Sequence, residues 1–414
     1  METETIGQGQ ALIGLASLMR RAYAGEDLAP LGTELITRAG TDPRCADANA
    51  LMDLSTVLQL RGERELAMEM QAQALALRQL YTVPYRRGQA DRSQAALRLL
   101  AIMGQGDLMA NSPVEFLLED TDVALDIVYV TEQQDLPAEL PDHDVLFVAV
   151  AESEANIPLL EKLAATLANW PRPVLNDPAR IAQLSRDNNF ALLKDAASVA
   201  MPATVRVNSQ VLFGVASGDL PLDVVLQAGN FPVIVRPVDS HAGKGLEKLD
   251  DALALSNYLA GGGADEYFLS PFVDYRNADG LFRKYRIMLI AGRPFLAHLA
   301  ISEHWMIHYL NAGMAESAEK RDEEARCMAD FDDTFAVRHA VAFRAIHERV
   351  GLDYLGLDCA ETADGKLLIF EVDSCMIVHA IDPVEAFPYK QPQMRKLFGA
   401  FRQMLIEAVG GHVK

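Results

Sequence analysis

Hydrophobic positions in the first eighty residues recur with the period of an α-helix. Apolar side chains return every three or four positions through ALIGLASLMRRAY and again through ANALMDLSTVLQLRGERELAMEMQAQALALRQL. This spacing places them on one face of a helix. The pattern predicts an all-α segment over residues 1–90. We interpret the polar stretch at its end, YTVPYRRGQADRSQ (81–94), as a linker or surface loop.

Small residues in the second helical stretch resemble those of a tetratricopeptide repeat. Gly62 falls at the predicted turn between two helices, and Ala67 and Ala74 stand where small side chains let paired helices approach closely. An unrelated helical bundle with a glycine turn would give the same pattern. The resemblance implies a helical domain that recruits a protein or peptide partner.

From residue 91 onward, short apolar runs alternate with helical stretches. The predicted strands cover residues 97–103, 123–130, 145–151 and 173–175, and a predicted helix covers 157–169. Such alternation indicates a small parallel sheet with helices on both faces. Gly104 and Gly106 follow the first strand, but the third glycine of a dinucleotide fingerprint is missing. We therefore interpret this loop as a strand-to-helix turn.

The second half of the chain reads as a further α/β region. The predicted strands cover residues 201–207, 232–237, 267–273, 285–291, 294–301, 354–360 and 366–372, and the predicted helices cover 178–200, 315–329 and 334–351. The expected fold class is therefore mixed α/β, preceded by an all-α region.

Composition and charge narrow the classes of partner. The chain has 414 residues, of which half are hydrophobic, and its formal net charge is −21. Such acidity disfavours nucleic acid and anionic membranes as general partners. The four cysteines have no metal-ligand or paired spacing, and we expect them to be free thiols: Cys45, Cys327, Cys359 and Cys375. The start METETIGQGQ lacks signal-peptide features, and no apolar run reaches membrane-spanning length, so we expect a cytoplasmic protein.

A glycine-rich stretch follows the predicted strand 232–237. Arg236 ends that strand, and the sequence continues as Asp-Ser-His-Ala-Gly-Lys-Gly over residues 239–245. Small residues allow backbone N–H groups to turn toward a polyphosphate, and an adjacent cation offsets its charge. A hairpin with a solvated Lys244 is the alternative.

Acidic and basic side chains share faces on later strands. Glu371 and Asp373 are two residues apart and point to the same side, and a hairpin brings Asp358 alongside them. Three carboxylates together favour a divalent cation such as Mg²⁺, although a solvated acidic face is the alternative. Lys284 and Arg286 likewise share a face, which suits phosphate binding or a basic surface strand.

The glycine-rich stretch, the basic strand and the acidic residues, in this order along the chain, resemble the sequence pattern of the ATP-grasp superfamily. PVIVRP is similar to the strand that usually reads P-V-x-V-K-P, and YFLSPFVD (267–274) is similar to the adenine-binding hinge. KYRIML resembles the D-x-R strand of the glutathione synthetase and ribosomal-protein glutamate ligase branch, and the match as a whole is also similar to D-Ala–D-Ala ligase. Asp358 followed by Glu371-Val-Asp373 resembles the D…E-x-N magnesium pattern. The resemblance covers roughly residues 97–405.

The resemblance also implies a role for each matching residue. The ATP-binding residues would be Arg186, Arg236, Ser240, His241, Gly243, Lys244, Gly245, Leu269, Ser270, Pro271, Phe272 and Asp274. The residues stabilising phosphoryl transfer would be Lys244, Lys284 and Arg286, and the ligands of Mg²⁺ or Mn²⁺ would be Asp358, Glu371 and Asp373. The residues facing the substrate would be His304, His308, Asn311 and His379.

This chain departs from the family pattern at four places. Arg236 stands where lysine is usual, Asp373 where asparagine is usual, and Lys284 where an acidic residue is common. The first phosphate-binding lysine is missing, which leaves Arg186 as a candidate. His304 and His308 would share a helix face, a spacing that also suits zinc, but no third ligand is evident.

The resemblance implies an ATP-dependent carboxylate–amine ligase that acts through an acyl phosphate on an amino acid or peptide. The implied domains are a helical domain (1–90), a pre-ATP-grasp α/β domain (91–177), a central lid subdomain (178–270) and a catalytic subdomain (271–414). A homodimer is common in this superfamily. The alternatives are an adaptor that binds nucleotide without ligation and a phosphotransferase of the same fold.

Overall fold

The chain forms two compact units. This computed structural model describes residues 10–40, 46–85, 91–227, 229–240 and 243–412. The first unit comprises Met1–Ala151, Asn156–Ile181 and Ser374–Lys414, and the second comprises Glu152–Ala155 and Ala182–Asp373. Within the described residues, one sheet belongs to the first unit and two sheets belong to the second. The mixed α/β fold class predicted from the sequence is confirmed.

In the described part of residues 10–85, four helices open the first unit, as the hydrophobic period predicts. They are α1 (Leu15–Tyr23), α2 (Ala29–Ala39), α3 (Ala48–Leu60) and α4 (Arg64–Leu77). Gly62 turns the chain between α3 and α4 with φ of 84°, and Ala67 and Ala74 are fully buried. Left-handed φ at a turn suits glycine, and small buried side chains permit close helix packing. That these helices form a tetratricopeptide unit stays a prediction.

The predicted linker over 81–94 is wrong at its beginning. Leu80–Thr82 forms strand β1, which pairs antiparallel with the strand containing residues 126–128. Tyr81 is 1% exposed and belongs to the hydrophobic core of the helices. Three residues carry too little alternation to signal a strand, so only the tertiary partner reveals it. Residues 86–90 of the predicted linker lie outside the described residues.

The first sheet has the strand order β1-β3-β2-β4-β5. Its other strands are β2 (Leu97–Gly104), β3 (Val123–Val130), β4 (Val145–Val148) and β5 (Val174–Leu175), and the accompanying helices are α5 (Val114–Leu117), α6 (Ile157–Leu167) and α7 (Pro178–Ile181). β3, β2, β4 and β5 are parallel neighbours, and β1 is the antiparallel edge. Continuous apolar runs are typical of parallel strands buried on both faces.

The loop after β2 is held by side chains from the helices. The side-chain amide of Gln71 donates to the carbonyl oxygen of Gly106 and accepts from its N–H, both at 2.9 Å. Gln59 accepts from the N–H of Leu108 at 2.8 Å. These backbone groups are therefore paired within the protein, which agrees with a structural turn.

The second unit contains two antiparallel sheets, one of which takes a short parallel edge strand. The smaller sheet has the order β7-β10-β8-β9, and the larger, called the site sheet below, has the order β12-β11-β13-β14-β6. The strands are β6 (Val199–Ala200), β7 (Val205–Asn208), β8 (Val233–Pro237), β9 (Glu247–Leu249), β10 (Glu266–Pro271), β11 (Phe282–Ile290), β12 (Arg293–Ser302), β13 (Tyr354–Glu361) and β14 (Leu367–Asp373). The helices are α8 (Arg186–Leu193), α9 (Ser209–Ser217), α10 (Leu222–Val225), α11 (Ala252–Ala260), α12 (Ala318–Asp330), α13 (Phe335–Arg338) and α14 (Ala340–Val350).

Two predicted helices are shorter than expected. The predicted helix 178–200 divides into α7 and α8, and its last residues form β6, which pairs in parallel with β14. The predicted helix 334–351 is interrupted at His339, between α13 and α14. Pairing with a neighbouring strand satisfies the backbone groups of β6, so tertiary structure overrides the local helical pattern. The last helix, α15 (Lys390–His412), belongs to the first unit.

Candidate active site

Three charged residues stand in one row across the site sheet. Arg286 on β11 is the register partner of Asp358 on β13, and Asp358 is the partner of Glu371 on β14. Lys284 lies two residues before Arg286 and shares its face, as Asp373 shares that of Glu371. The strand register therefore brings together the basic and acidic residues predicted from separate parts of the sequence.

A β-bulge creates this alignment. The pairing of β13 with β14 shifts by one residue between Asp358 and Cys359, because Cys359 pairs with Ile369 while Asp358 pairs with Glu371. Phe370 is the extra residue. A bulge redirects the side chains that follow it and is common beside functional sites. Without it, Phe370 would stand opposite Asp358.

Asp358 is buried and fully engaged by cations. Its Oδ1 accepts from Nε of Arg286 at 2.8 Å, and its Oδ2 accepts from Nη2 of Arg286 at 3.0 Å and from Nζ of Lys284 at 2.9 Å. The residue is 3% exposed. Burial alone would raise its pKa, but the charges of Arg286 and Lys284 outweigh burial and hold the pKa well below its usual range.

Glu371 is paired with Arg186. Arg186 donates Nη1–H to the carbonyl oxygen of Phe370 at 3.0 Å and Nη2–H to Oε1 of Glu371. Burial raises the pKa of Glu371, whereas the charges of Arg186, Arg236 and Arg286 lower it, and the net direction is downward. Burial, and then the charge of Arg186, lowers the pKa of Arg236 to about 10. Arg186 and Arg236 thus act on the same carboxylate.

The glycine-rich loop turns next to His308. Arg236 donates Nε–H to Oγ of Ser240 at 3.2 Å and also donates to its carbonyl oxygen. Gly243 has φ of 74°, and a Cβ at that position would lie 2.7 Å from Nε2 of His308. A side chain at Gly243 would therefore clash with the imidazole. Gly245 has φ of 69°, and Lys244 is exposed. The predicted site residue His241 lies outside the described residues.

His308 is half-buried beside the charged row. Burial lowers its pKa, the charges of Lys284 and Arg286 lower it further, and the charge of Asp358 opposes them. Its imidazole is therefore mostly uncharged at neutral pH. Its backbone N–H donates to Oδ1 of Asn311 at 2.9 Å, so Asn311 closes a local turn.

The predicted helix face shared by His304 and His308 is wrong. Residues 303–308 are not helical, and only Tyr309–Asn311 forms a 3-10 turn. His304 is exposed, and its N–H donates to Oγ of Ser302 at 3.0 Å. The fourth substrate candidate, His379, belongs to the first unit. There its ring centroid lies 5.5 Å from that of Tyr23 and 6.0 Å from that of Phe116.

The predicted adenine segment lies at the end of β10. Leu269 is fully buried in the core of the smaller sheet, whereas Ser270, Pro271 and Phe272 are partly exposed. Nζ of Lys248 lies 4.8 Å from the centroid of the Phe272 ring. Asp274 is ion-paired with Arg276, which lies two residues later. An adenine in this segment would therefore meet backbone groups and Phe272 rather than the Leu269 side chain.

The sequence pattern does not single out two acidic residues of the second unit that the structure shows in unusual surroundings. Burial, followed by the charges of Asp239 and Asp373, raises the pKa of Glu152 to about 7. Glu324 is fully buried and accepts from the N–H of Leu299 at 3.0 Å and from the hydroxyl of Tyr309 at 2.9 Å. Glu324 stands in a run of charged residues along α12, and no local signal distinguishes the buried one.

The carboxylates fit a magnesium ion only in part. Within the described ranges, no group of three or more His, Cys, Asp or Glu side chains is arranged to hold a metal ion. Glu371 and Asp373 have the chemistry of Mg²⁺ ligands, since one or two carboxylates with nucleotide phosphates commonly suffice. Asp358 fits poorly because both of its oxygens already accept from cations.

Among the helices described, none is long and apolar enough to cross a membrane.

Among comparisons with known proteins, only the comparison with solved structures finds proteins similar to this chain. No protein-family model matches the sequence, and no curated protein matches it. The RimK domain protein ATP-grasp from Sphaerobacter thermophilus is 15% identical, with a TM-score of 0.44 over 74% of this chain and 99% of that one. This solved structure is an ATP-grasp protein, the family whose motifs the sequence resembles.

Two ligases are also among the similar structures. D-alanine–D-alanine ligase from Bacillus anthracis, complexed with ATP, is 13% identical, with a TM-score of 0.47 over 76% of this chain and 99% of that one. D-alanine–D-alanine ligase from Coxiella burnetii is 11% identical, with a TM-score of 0.48 over 76% and 96%. The likeness is one of fold, and the chemistry discussed below rests on the side chains of this chain.

Proposed function

We propose that this chain is an ATP-dependent ligase that joins a carboxylate to an amine through an acyl phosphate, with an amino acid or peptide as substrate. The observation that carries the proposal is the convergence of Arg186, Arg236, Lys284 and Arg286 on the Asp358–Glu371 pair. Phosphoryl transfer needs mainly positioning and stabilisation of charge on the phosphate oxygens. Several cations held by carboxylates in a buried site supply both.

In this proposal, each cation has a place along the triphosphate. Arg186 and Arg236 bind the α- and β-phosphates, and Lys244 with the glycine-rich loop covers the γ-phosphate. Lys284 and Arg286 bind the phosphoryl group during its transfer. Arginine presents a planar fork of donors and lysine a point charge, which suits contacts with several oxygens of one phosphate.

The reaction would proceed in two steps. A substrate carboxylate oxygen attacks the γ-phosphorus, and the bond from that phosphorus to the bridging oxygen of ADP breaks. The amine nitrogen then attacks the acyl carbon, inorganic phosphate leaves, and the nitrogen loses a proton. His308 is suited to accept that proton, because its imidazole is uncharged at neutral pH and lies beside Lys284 and Arg286.

Nucleotide and metal would occupy neighbouring places. The backbone of residues 269–272 would hold adenine, with the Phe272 ring and Lys248 beside it. Glu371 and Asp373 would hold Mg²⁺, which when bound neutralises phosphate charge.

A protein or peptide partner at the helical N-terminus and a homodimer remain predictions. Co-purification would examine the partner, and size-exclusion chromatography with light scattering would examine the homodimer.

The proposal is tested by measuring ADP and inorganic phosphate with a panel of amino acids and short peptides. Release of both, dependent on a carboxylate and an amine, is the expected result. ADP with a phosphorylated product would instead indicate a phosphotransferase, and no ADP with any substrate would indicate an adaptor. Glu371→Gln should abolish turnover, whereas Glu348→Gln, an exposed change on α14, should leave it unaffected.

A further inference from the structure

We propose that a cavity in the first unit is a binding site for a small organic ammonium ion. The cavity is lined by residues of α3, α4, β1, β2 and β3, and its volume is about 60 Å³. One water molecule needs about 10–15 Å³, so a ligand of several non-hydrogen atoms has room there. Thr56, Gln59 and Leu108, which also line it, are partly exposed, so the cavity opens toward solvent. The inference does not depend on the proposed ligase activity.

The lining of the cavity is acidic. Asp53, Asp107 and Glu115 line it, and none of the described residues around it is a lysine, an arginine or a histidine. Asp107 is ion-paired with Arg64 at 2.8 Å, which offsets one of the three negative charges. The other two carboxylates repel an anionic ligand and attract a cation.

Asp53 is a buried carboxylate that, within the described residues, has no ion-pair partner. It is 1% exposed, and its two oxygens accept from the N–H groups of Gly14 and Ile13 at 3.1 and 2.8 Å. Burial raises its pKa to about 6, so the carboxylate is still mostly ionised at neutral pH. A buried charge is costly unless it is paired, and each oxygen can accept a further donor. A cation in the cavity would supply both the donor and the counter-charge.

Both carboxylates meet the start of α1. Glu115 accepts from the N–H groups of Leu15 and Ala16, both at 3.1 Å, directly after the two N–H groups that Asp53 binds. The N-terminus of a helix is equivalent to about half a positive charge. The helix therefore offsets only part of the two negative charges, and the remaining negative potential favours a cation over a neutral ligand.

Two tyrosines give the cavity surfaces that suit an ammonium ion with an apolar substituent. The rings of Tyr81 and Tyr129 meet edge to face, with centroids 5.8 Å apart. Aromatic rings attract ammonium groups through their faces and pack against alkyl chains. The hydroxyl of Tyr81 is buried and has no hydrogen-bond partner among the described residues, while the guanidinium of Arg78 lies 4.9 Å from the ring centroid. An ammonium N–H would supply the missing donor.

Amide side chains around the cavity are already used within the protein. Gln71 exchanges hydrogen bonds with the backbone of Gly106, and Asn111 does the same with Gly104 at 2.7 and 2.9 Å. These bonds fix the wall formed by the loop after β2. Recognition of a ligand therefore falls to the carboxylate on α3 and the phenol on β1, which together match the donors of a primary ammonium group.

Binding of propylammonium to the full wild-type chain tests the inference, with 1-propanol as the neutral ligand of similar size. Ligand-observed saturation-transfer NMR titrations would give the Kd of each. We expect propylammonium to bind at least about tenfold more tightly, because a hydrogen bond between charged groups contributes about that factor. Propylammonium that does not bind, or that binds no more tightly than 1-propanol, would overturn the inference whether or not any variant folds.

Variants establish that the ligand lies in this cavity. Asp53→Asn removes the buried charge and should weaken propylammonium binding by about tenfold or more. Asp120→Asn, an exposed change in the first unit, should leave the Kd unaltered. Thr56→Phe enlarges a partly exposed side chain of the lining and should abolish binding by filling the cavity. A wild-type Kd in the folded Asp53→Asn or Thr56→Phe chain would refute the assignment of the site.

Discussion

Arg286 and Asp358 face each other on β11 and β13, with Nε of the arginine 2.8 Å from Oδ1 of the aspartate. Lys284 completes the group at 2.9 Å. A buried ion pair contributes little net stability relative to apolar residues, but the loss of one partner leaves an uncompensated charge. The row of charges is therefore a rigid element whose parts depend on one another.

Asp358→Asn tests this dependence. The substitution leaves Lys284 and Arg286 without a counter-charge in a buried place, and we expect the free energy of unfolding to fall by about 3–5 kcal/mol. Urea denaturation followed by circular dichroism measures it. Asp364→Asn, in the exposed turn between β13 and β14, should change stability by less than about 0.5 kcal/mol. Equal effects of the two changes would contradict a special role for the buried group.

Gly243→Ala should disable the glycine-rich loop. Its Cβ would lie 2.7 Å from Nε2 of His308, so either the imidazole or the loop must shift from its place in the site. We expect kcat/KM for ATP to fall by about tenfold or more, since small misplacements of catalytic groups are costly.

The matched control for that change is Gly262→Ala. Gly262 has φ of 81°, similar to the 74° of Gly243, but a Cβ there meets nothing within 4 Å. Both variants carry a comparable backbone penalty of about 1–2 kcal/mol, and only the first has the steric conflict. Similar kinetics in the two variants would exclude the clash as the cause.

Asp53 should make the stability of the chain depend on pH. Its carboxylate accepts from the N–H groups of Ile13 and Gly14 at 2.8 and 3.1 Å, and burial raises its pKa to about 6. The unfolded chain releases this proton near pH 4, earlier than the folded chain. Stability from this group is therefore fully present below about pH 4 and is lost as pH rises through 6.

A difference of two pKa units between the folded and unfolded chains corresponds to about 3 kcal/mol. This is the largest change in the free energy of unfolding that the titration of Asp53 can produce. Denaturation at intervals from pH 4 to pH 7 should show a steeper decline for the wild-type chain than for Asp53→Asn, which cannot ionise. Parallel curves for the two proteins would show that Asp53 titrates alike in the folded and unfolded chains.

Gln71→Leu should weaken the first unit. It leaves the N–H and carbonyl groups of Gly106 without the partner that now lies at 2.9 Å from each. Gly106 is partly exposed, so water can replace part of the loss, and we expect the free energy of unfolding to fall by about 1 kcal/mol, the usual net contribution of a hydrogen bond. The exposed Gln73→Leu on the same helix is the control, and equal denaturation midpoints for the two variants would contradict the role of Gln71.

Much of the fold could be predicted because buried strands have a strong local pattern. The predicted strands 97–103, 123–130 and 354–360 each lie within one residue of the observed strand ends. By contrast, the local pattern predicts a linker where β1 forms and a helix where β6 forms. Both are very short and form only because a distant strand pairs with them, which no local period reports.

The order of residues along each strand is enough to establish which of them share a face. Strand side chains alternate with a period of two, so Lys284 lies on the side of Arg286 and Glu371 on the side of Asp373 wherever the strands pair. That Arg286, Asp358 and Glu371 form one row depends instead on how the three strands pair in the folded chain. That alignment depends on Phe370 as the extra residue of a bulge, and a shift of one residue would place its ring opposite Asp358.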